Sequence, residues 1–152
     1  MNKKGFTLVE LLAVIAIMAL IAGISVPNII NMLDKGKQED FIKDAKSIVA
    51  KAKYRYNMEK YKDMFDSDNC PSTENTCSCI KAKDLNFSTE TDAYGYTYDK
   101  ENSYVAVCSN TYKIYLKSGD ISNGGKCLST NSTCESVNVD ELRYEYVVDI
   151  PA

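Results

Sequence analysis

Apolar and polar positions divide the chain into three regimes. Residues 8–26, LVELLAVIAIMALIAGISV, are apolar on every side of a helix and carry one charge, Glu10. At ~1.5 Å per residue they make a helix of about 28 Å, close to the thickness of a bilayer core. Past Pro27 the period changes. Phe41, Ala45, Ile48 or Val49, Ala52 and Tyr56 recur at three- and four-residue steps, which predicts one face of an amphipathic helix. Lys35, Lys37, Lys43, Lys46, Lys51 and Lys53 fill much of the remainder. Pro27 favours a kink and Gly36 a bend. A single helix over residues 6–62 would span about 85 Å. That is more than a domain of this size covers, so its first half must pack on other molecules while its second half covers a sheet.

From residue 63 the pattern turns to short β-rich runs. Tyr94-Gly-Tyr-Thr-Tyr98, Tyr104-Val-Ala-Val-Cys108 and Tyr112-Lys-Ile-Tyr-Leu116 are separated by short polar turns. They predict an antiparallel meander, with a fourth strand over residues 142–148. The tyrosine stripes read as amphipathic cross-strand packing in preference to a carbohydrate-binding face. The expected class is α+β: a long N-terminal helix packed on an antiparallel β-meander. The expected divisions are a leader at 1–5, an apolar helix at 6–27, an amphipathic helix at 28–62 and a cysteine-containing head at 63–152.

Composition narrows the chemistry. The chain has 152 residues, a net charge of −3 and no His. Histidine-ligated zinc, Ser-His and Cys-His nucleophiles and C-x-x-C-H haem attachment are therefore excluded. No catalytic residue, cofactor or metal is expected. The charge is segregated, with +4 over residues 34–62 and −8 over residues 63–152. Such an acidic head is not expected to bind nucleic acid, but it could attract the basic stalk of a neighbouring copy, a contact that high salt would weaken.

Two long polar linkers, 63–93 and 119–140, hold five of the six cysteines, the sixth being Cys108. Linkers of this length need ties, and disulfides persist outside the cytoplasm. Short local closures favour Cys70–Cys77 and Cys127–Cys134, leaving Cys79–Cys108. A zinc site around Cys77-Ser-Cys79 is the rival reading, weakened by the lack of C-x2-C and of His. C-x-x-C redox chemistry has no motif here. The Asn86 and Asn131 triplets fit the N-glycosylation pattern and are set aside as chance matches.

Lys3 and Lys4 precede the apolar run and place the N-terminus on the cytoplasmic side, so the rest lies outside. A cleaved secretory signal is disfavoured because small residues are poorly placed for an A-x-A site. A lipoprotein signal is disfavoured because the first cysteine is Cys70. Glu10 argues against a passive anchor, since an acidic side chain in hydrocarbon costs about 2.5–3.5 kcal/mol. No basic residue lies between Lys4 and Lys35 to pair with it. Cleavage between Gly5 and Phe6 would create an amine at the helix start. Within a subunit, or between staggered subunits, that amine could meet Glu10 and set the register of identical helices.

Gly5-Phe-Thr-Leu-Val-Glu10, the short Lys-bearing leader, the apolar run and Pro27 closely resemble the class III prepilin signal of the type IV pilin family, over residues 1–28. The resemblance implies that a membrane prepilin peptidase cuts after Gly5 and methylates the Phe6 amine. It makes Glu10 the acidic fifth residue of the mature chain. It gives the apolar helix two successive environments, the cytoplasmic membrane and then a filament core. Ala13, Ala16, Ala19, Ala22 and Gly23 would let helices approach closely there, and residues 19–26, upstream of Pro27, are the stretch that could melt. The implied protein is a non-catalytic pilus subunit, displayed on the cell surface and serving adhesion, motility or aggregation. Its implied partners are other pilin subunits, the peptidase, an assembly ATPase and a platform protein. The alternatives are a pseudopilin of a type II secretion or competence DNA-uptake system, and a tip-located minor pilin. The composition is compatible with a low-GC Gram-positive source.

Overall fold

The computed structural model describes residues 5–74, 76–109 and 111–151, without the side chains of Ser25, Val26, Pro27, Glu59 and Thr73; residues 1–4 of the expected leader lie outside it. Helix α1 runs Leu8–Tyr56. The chain divides into two units, the first ending at Gly36 and the second beginning at Lys37.

The first unit is helical from Leu8 and buries none of its apolar window. Its described large apolar side chains, from Leu8 to Leu33, are all exposed. It is long and apolar enough to cross a membrane. The helix assignment continues through Pro27 and Gly36. Pro27 has no N–H to give the carbonyl four residues back, and the Asn28 side-chain amide donates to the Ile24 carbonyl at 3.3 Å.

The second unit is α+β, as the periodicities predict. Phe41, Ala45, Ile48, Val49 and Ala52 are all buried. They pack with Ile80, Val105, Ile114 and Val137 of a four-stranded antiparallel sheet ordered β1-β2-β3-β6, where β1 is Cys77–Lys81, β2 Tyr104–Cys108, β3 Thr111–Tyr115 and β6 Val137–Asn138. A second antiparallel sheet is ordered β4-β5-β7, from Lys117–Asp120, Gly124–Leu128 and Val147–Asp149. Leu116, Leu128 and Val147 extend the same core. The β4–β5 hairpin depends on its glycines. Gly119 faces Gly125 across the ladder with φ +72°. A Cβ on Gly125 would lie 2.0 Å from the Ser118 carbonyl oxygen.

Several expected boundaries move. The helix ends at Tyr56, not residue 62, and a 3-10 turn occupies Glu59–Met64. Residues 94–98 form no strand beyond single bridges at Thr97 and Tyr98. The reason is local: the Asp92 carboxylate accepts from the backbone N–H groups of Tyr94 and Tyr96 at 2.9 and 2.8 Å, and Gly95 takes φ +91°. Those bonds make a turn where side-chain alternation predicts a strand. Residues 142–148 also divide, into a 3-10 turn at Tyr144–Tyr146 followed by β7. Conversely, the linkers contain β1, β5 and β6.

One polar tie crosses the helix–head core. The Tyr98 hydroxyl, on a residue only 4% exposed, donates to Asp44 on α1 at 2.8 Å. Burial raises the Asp44 carboxyl above its ordinary value of 3.8; the Tyr98 bond opposes this, and the Asp40 and Asp92 charges add to it. The folded state thus holds the Asp44 proton more readily than the unfolded chain. Stability should fall as pH rises from 3.8 through the raised value and level off above it. Asp44→Asn keeps an acceptor for Tyr98 and removes the charge. It is expected to raise the denaturation midpoint near neutral pH and to flatten that slope. Tyr98→Phe leaves the carboxylate without its donor and should cost about 1–2 kcal/mol. Denaturant titration of the detergent-solubilised full chain at several pH values checks both.

Candidate functional site

The site begins at Gly5 and Phe6, which precede the helix and are exposed; Phe6 is 84% accessible. Among the described residues, no heavy atom lies within 4 Å of where a Gly5 side chain would start. Thr7 then caps α1. Its backbone N–H and its hydroxyl both donate to Glu10 Oε2, at 2.8 and 2.9 Å, and its Oγ1 accepts from the Glu10 N–H at 3.3 Å. This is a reciprocal capping box. It satisfies N–H groups that the first helical turn otherwise leaves open.

The capping box gives Glu10 a hydrogen-bond partner within its own helix, beside the charged partner expected from cleavage. Thr7-Leu-Val-Glu10 carries the T-x-x-E signature of such a cap, which requires no basic residue. Cleavage after Gly5 leaves both Thr7 donors in place. Glu10 Oε1 receives no hydrogen bond among the described residues, so one oxygen remains to accept from an outside donor. Pro27 lies within the helix, and its side chain is outside the described residues.

The six cysteines form a second, structural constellation, and all are paired. Cys127 bonds Cys134, with Cα atoms 5.6 Å apart. The other two bonds are Cys70–Cys79 and Cys77–Cys108, in place of the expected Cys70–Cys77 and Cys79–Cys108. Strand register decides this. Cys77 faces Cys108 directly across β1–β2, with Cα atoms 4.3 Å apart, while Cys79 faces Ala106. Cys79 instead turns to the segment that bridges it at Asp66, which carries Cys70. These sulfurs pack with Tyr104, Ala106 and Tyr115 as a small second core. Tyr104 and Tyr115 stack at 5.4 Å, and burial pushes the Tyr104 phenol up to about 12. These two tyrosines pack across strands, as the stripe reading predicts.

Glu74 lies beside this cluster, 6% exposed. Its carboxylate accepts from Lys113 Nζ at 3.0 Å and from the Ser136 hydroxyl at 2.5 Å. Glu74, Cys77 and Cys108 are close enough to suggest a metal site. The two sulfurs are bonded to each other, however, and the carboxylate is held by a lysine. No thiolate is left for zinc. Lys113→Met should strand the buried carboxylate at a cost of about 2 kcal/mol. Adding Glu74→Gln to that variant should restore most of the loss, as read from denaturation midpoints.

The model for the prokaryotic N-terminal methylation motif matches residues 1–26. A type IV wide pilus major component of Thermus thermophilus, PilA4, is 34% identical over 79 residues, 52% of this chain and 53% of that protein. Type II secretion system core protein G of Klebsiella michiganensis is 33% identical over 84 residues, 54% of this chain and 52% of that protein. The chain thus spans about half the length of the curated relatives it matches. No solved structure matches. The chain is a pilin- or pseudopilin-like protein with an N-terminal methylation motif and a pilin-like fold. One relative is a major component of a pilus and the other a core protein of a secretion system.

Proposed function

We propose that the chain is a structural subunit of a type IV pilus. The prepilin peptidase removes residues 1–5 and methylates Phe6, and an assembly ATPase with its platform protein then moves the subunit from the cytoplasmic membrane into a surface filament. The filament serves adhesion, motility or aggregation. The observation that carries this reading is the first unit of the fold. It is a helix exposed and apolar around the run from Leu8, opened by a capping box whose carboxylate has one oxygen without a donor among the described residues. Such a helix needs lipid or like helices around it. Glu10 would accept from the Phe6 amine of a neighbour, which offsets the burial of both charges.

Mass spectrometry of filaments sheared from cells, before and after reduction, tests the reading. The expected species starts at Phe6, carries one methyl group on its amine and gains the mass of six hydrogens on reduction. A chain that retains Met1 and is absent from every filament would overturn it. The similarity to a type II secretion core protein favours a second reading, a pseudopilin. Long, abundant surface filaments separate a pilin from a subunit of a short secretion fibre.

A further inference from the structure

Four cysteines of the head are paired in crossed order. Along the chain they run Cys70, Cys77, Cys79, Cys108, and the bonds join the first to the third and the second to the fourth. Neighbour-to-neighbour closure would instead join Cys70 to Cys77 and Cys79 to Cys108. Nothing local prevents it. The Cys127–Cys134 bond shows that a separation of seven closes in this head, and Cys70 and Cys77 are also seven apart. Closures over seven and nine residues differ little in chain entropy.

The order of exit favours the neighbours. With the N-terminus on the cytoplasmic side, residues 70–79 leave the membrane before residue 108. Cys108 lies 31 residues beyond Cys77, a delay of roughly 2–6 s at about 5–20 residues per second. Strand β1 is an edge strand whose ladder partner is β2, and β2 carries Cys108. Until β2 arrives, three thiols share a polar segment with no sheet to sort them.

The neighbour pairing is also hard to undo. A Cys79–Cys108 bond corresponds to sliding β1 by two residues along β2. The native register faces Cys77 with Cys108, Cys79 with Ala106 and Ile80 with Val105. The slipped register faces Cys79 with Cys108 and Ile80 with Val107. Side chains alternate with period two, so this slip keeps each one on its own face of the sheet. Ile80 still meets a valine on the main-core face, and the cysteines still meet Tyr104 and Ala106 on the other. The hydrophobic pattern therefore does not reject the slipped isomer. With Cys127–Cys134 also closed, that isomer has no free thiol, and exchange needs an attacking thiolate.

We propose that the head is a client of an exported thiol–disulfide exchange protein, which converts the neighbour pairing to the crossed one. The partner's thiolate attacks the Cys70 sulfur and releases Cys77 as a thiolate. Cys77 attacks the Cys108 sulfur, forms Cys77–Cys108 and releases Cys79. Cys79 attacks Cys70 in the mixed disulfide, forms Cys70–Cys79 and returns the partner's thiolate. Each bond broken is matched by one formed, so no electrons are gained or lost and no oxidant is consumed. The crossed isomer is the end point because Cys79 is fully buried and Cys77 nearly so, out of reach of further thiolate attack. This takes the export of the head from the proposed function and does not depend on filament formation.

Reduced glutathione serves as the probe thiol. The full chain in detergent, reduced and then oxidised with diamide under denaturant, supplies the neighbour-paired isomer. Once denaturant and reagent are removed, glutathione should convert it to the crossed pairing at least about tenfold faster than buffer alone. Equal rates, or no conversion, would overturn the proposal. In producing cells, pulse-labelled chains alkylated at intervals should show Cys70–Cys77 first and Cys70–Cys79 later. Crossed pairs that form directly, with no Cys70–Cys77 at any time, would overturn it as well and show that the sheet folds before oxidation. Cleavage after Glu74 separates Cys70 from the other two, and fragmentation at Ser78 tells Cys77 from Cys79. Cys70→Ser with Cys79→Ser removes the competing closures, so Cys77–Cys108 should form without lag; an unchanged lag counts against the exchange step. The pilus reading is decided separately, by the N-terminal residue of filament protein.

Discussion

Glu10→Gln is expected to abolish filament formation while the chain still inserts in the membrane and is still cleaved after Gly5. The substitution is selective because of the capping box. A Gln side-chain oxygen accepts from the Thr7 N–H and hydroxyl as the carboxylate does, so the first turn of α1 is kept. What disappears is the negative charge. Its removal eases insertion, since a carboxylate in hydrocarbon costs about 2.5–3.5 kcal/mol. If that charge pairs with the Phe6 amine of a neighbour, its loss leaves a buried cation unpaired at every subunit junction, and sheared filament should fall by more than about tenfold. Thr7→Val is the complementary variant. It removes the hydroxyl but keeps the charge, so it should weaken the helix start by about 1 kcal/mol and leave filaments largely intact. Filament yield is read against membrane-bound protein by immunoblot. Wild-type yield from Glu10→Gln would show that the carboxylate serves only as a helix cap.

The second large effect is on the head. The paired substitution Cys77→Ser with Cys108→Ser opens the disulfide with the greatest sequence separation, 31 residues. The loop-closure model gives roughly 3–4 kcal/mol for it, against roughly 2.5 kcal/mol for each of the shorter loops. It also pins β1 to β2 beside the buried Glu74 carboxylate, so its loss exposes a polar cluster to rearrangement. The unfolding midpoint should drop by roughly 10–15 °C, close to or beyond the margin of an ordinary domain. The Cys127→Ser, Cys134→Ser pair closes only seven residues and should lose less. Thermal unfolding followed by circular dichroism ranks the two. Equal losses would mean that chain entropy does not dominate.

The features that were legible in the sequence are those written locally. Phe41 through Ala52 repeat at helical spacing, and that face is buried. Residues 104–108 and 112–115 are short runs rich in Tyr, Val and Ile bounded by polar turns, and they lie within β2 and β3. The N-terminal motif is contiguous over six residues, and the matching methylation model covers it. Tyr94–Tyr98 misled because its alternation is as regular as a strand's. The turn there comes from hydrogen bonds to Asp92, whose carboxylate is also held by Ser118 from β4, 26 residues away.

Sequence alone determined the apolar helix, its single carboxylate, the amphipathic face and the outline of an antiparallel head. Each is a repeat or motif within one element, and its cause lies in neighbours three or four positions away. Tertiary structure alone decided which cysteines bond and which strands pair. These depend on the register between segments tens of residues apart, such as Cys77 against Cys108. Register is a property of the closed chain: a one-residue slip would turn every side chain to the opposite face, and no local pattern in either strand records its partner.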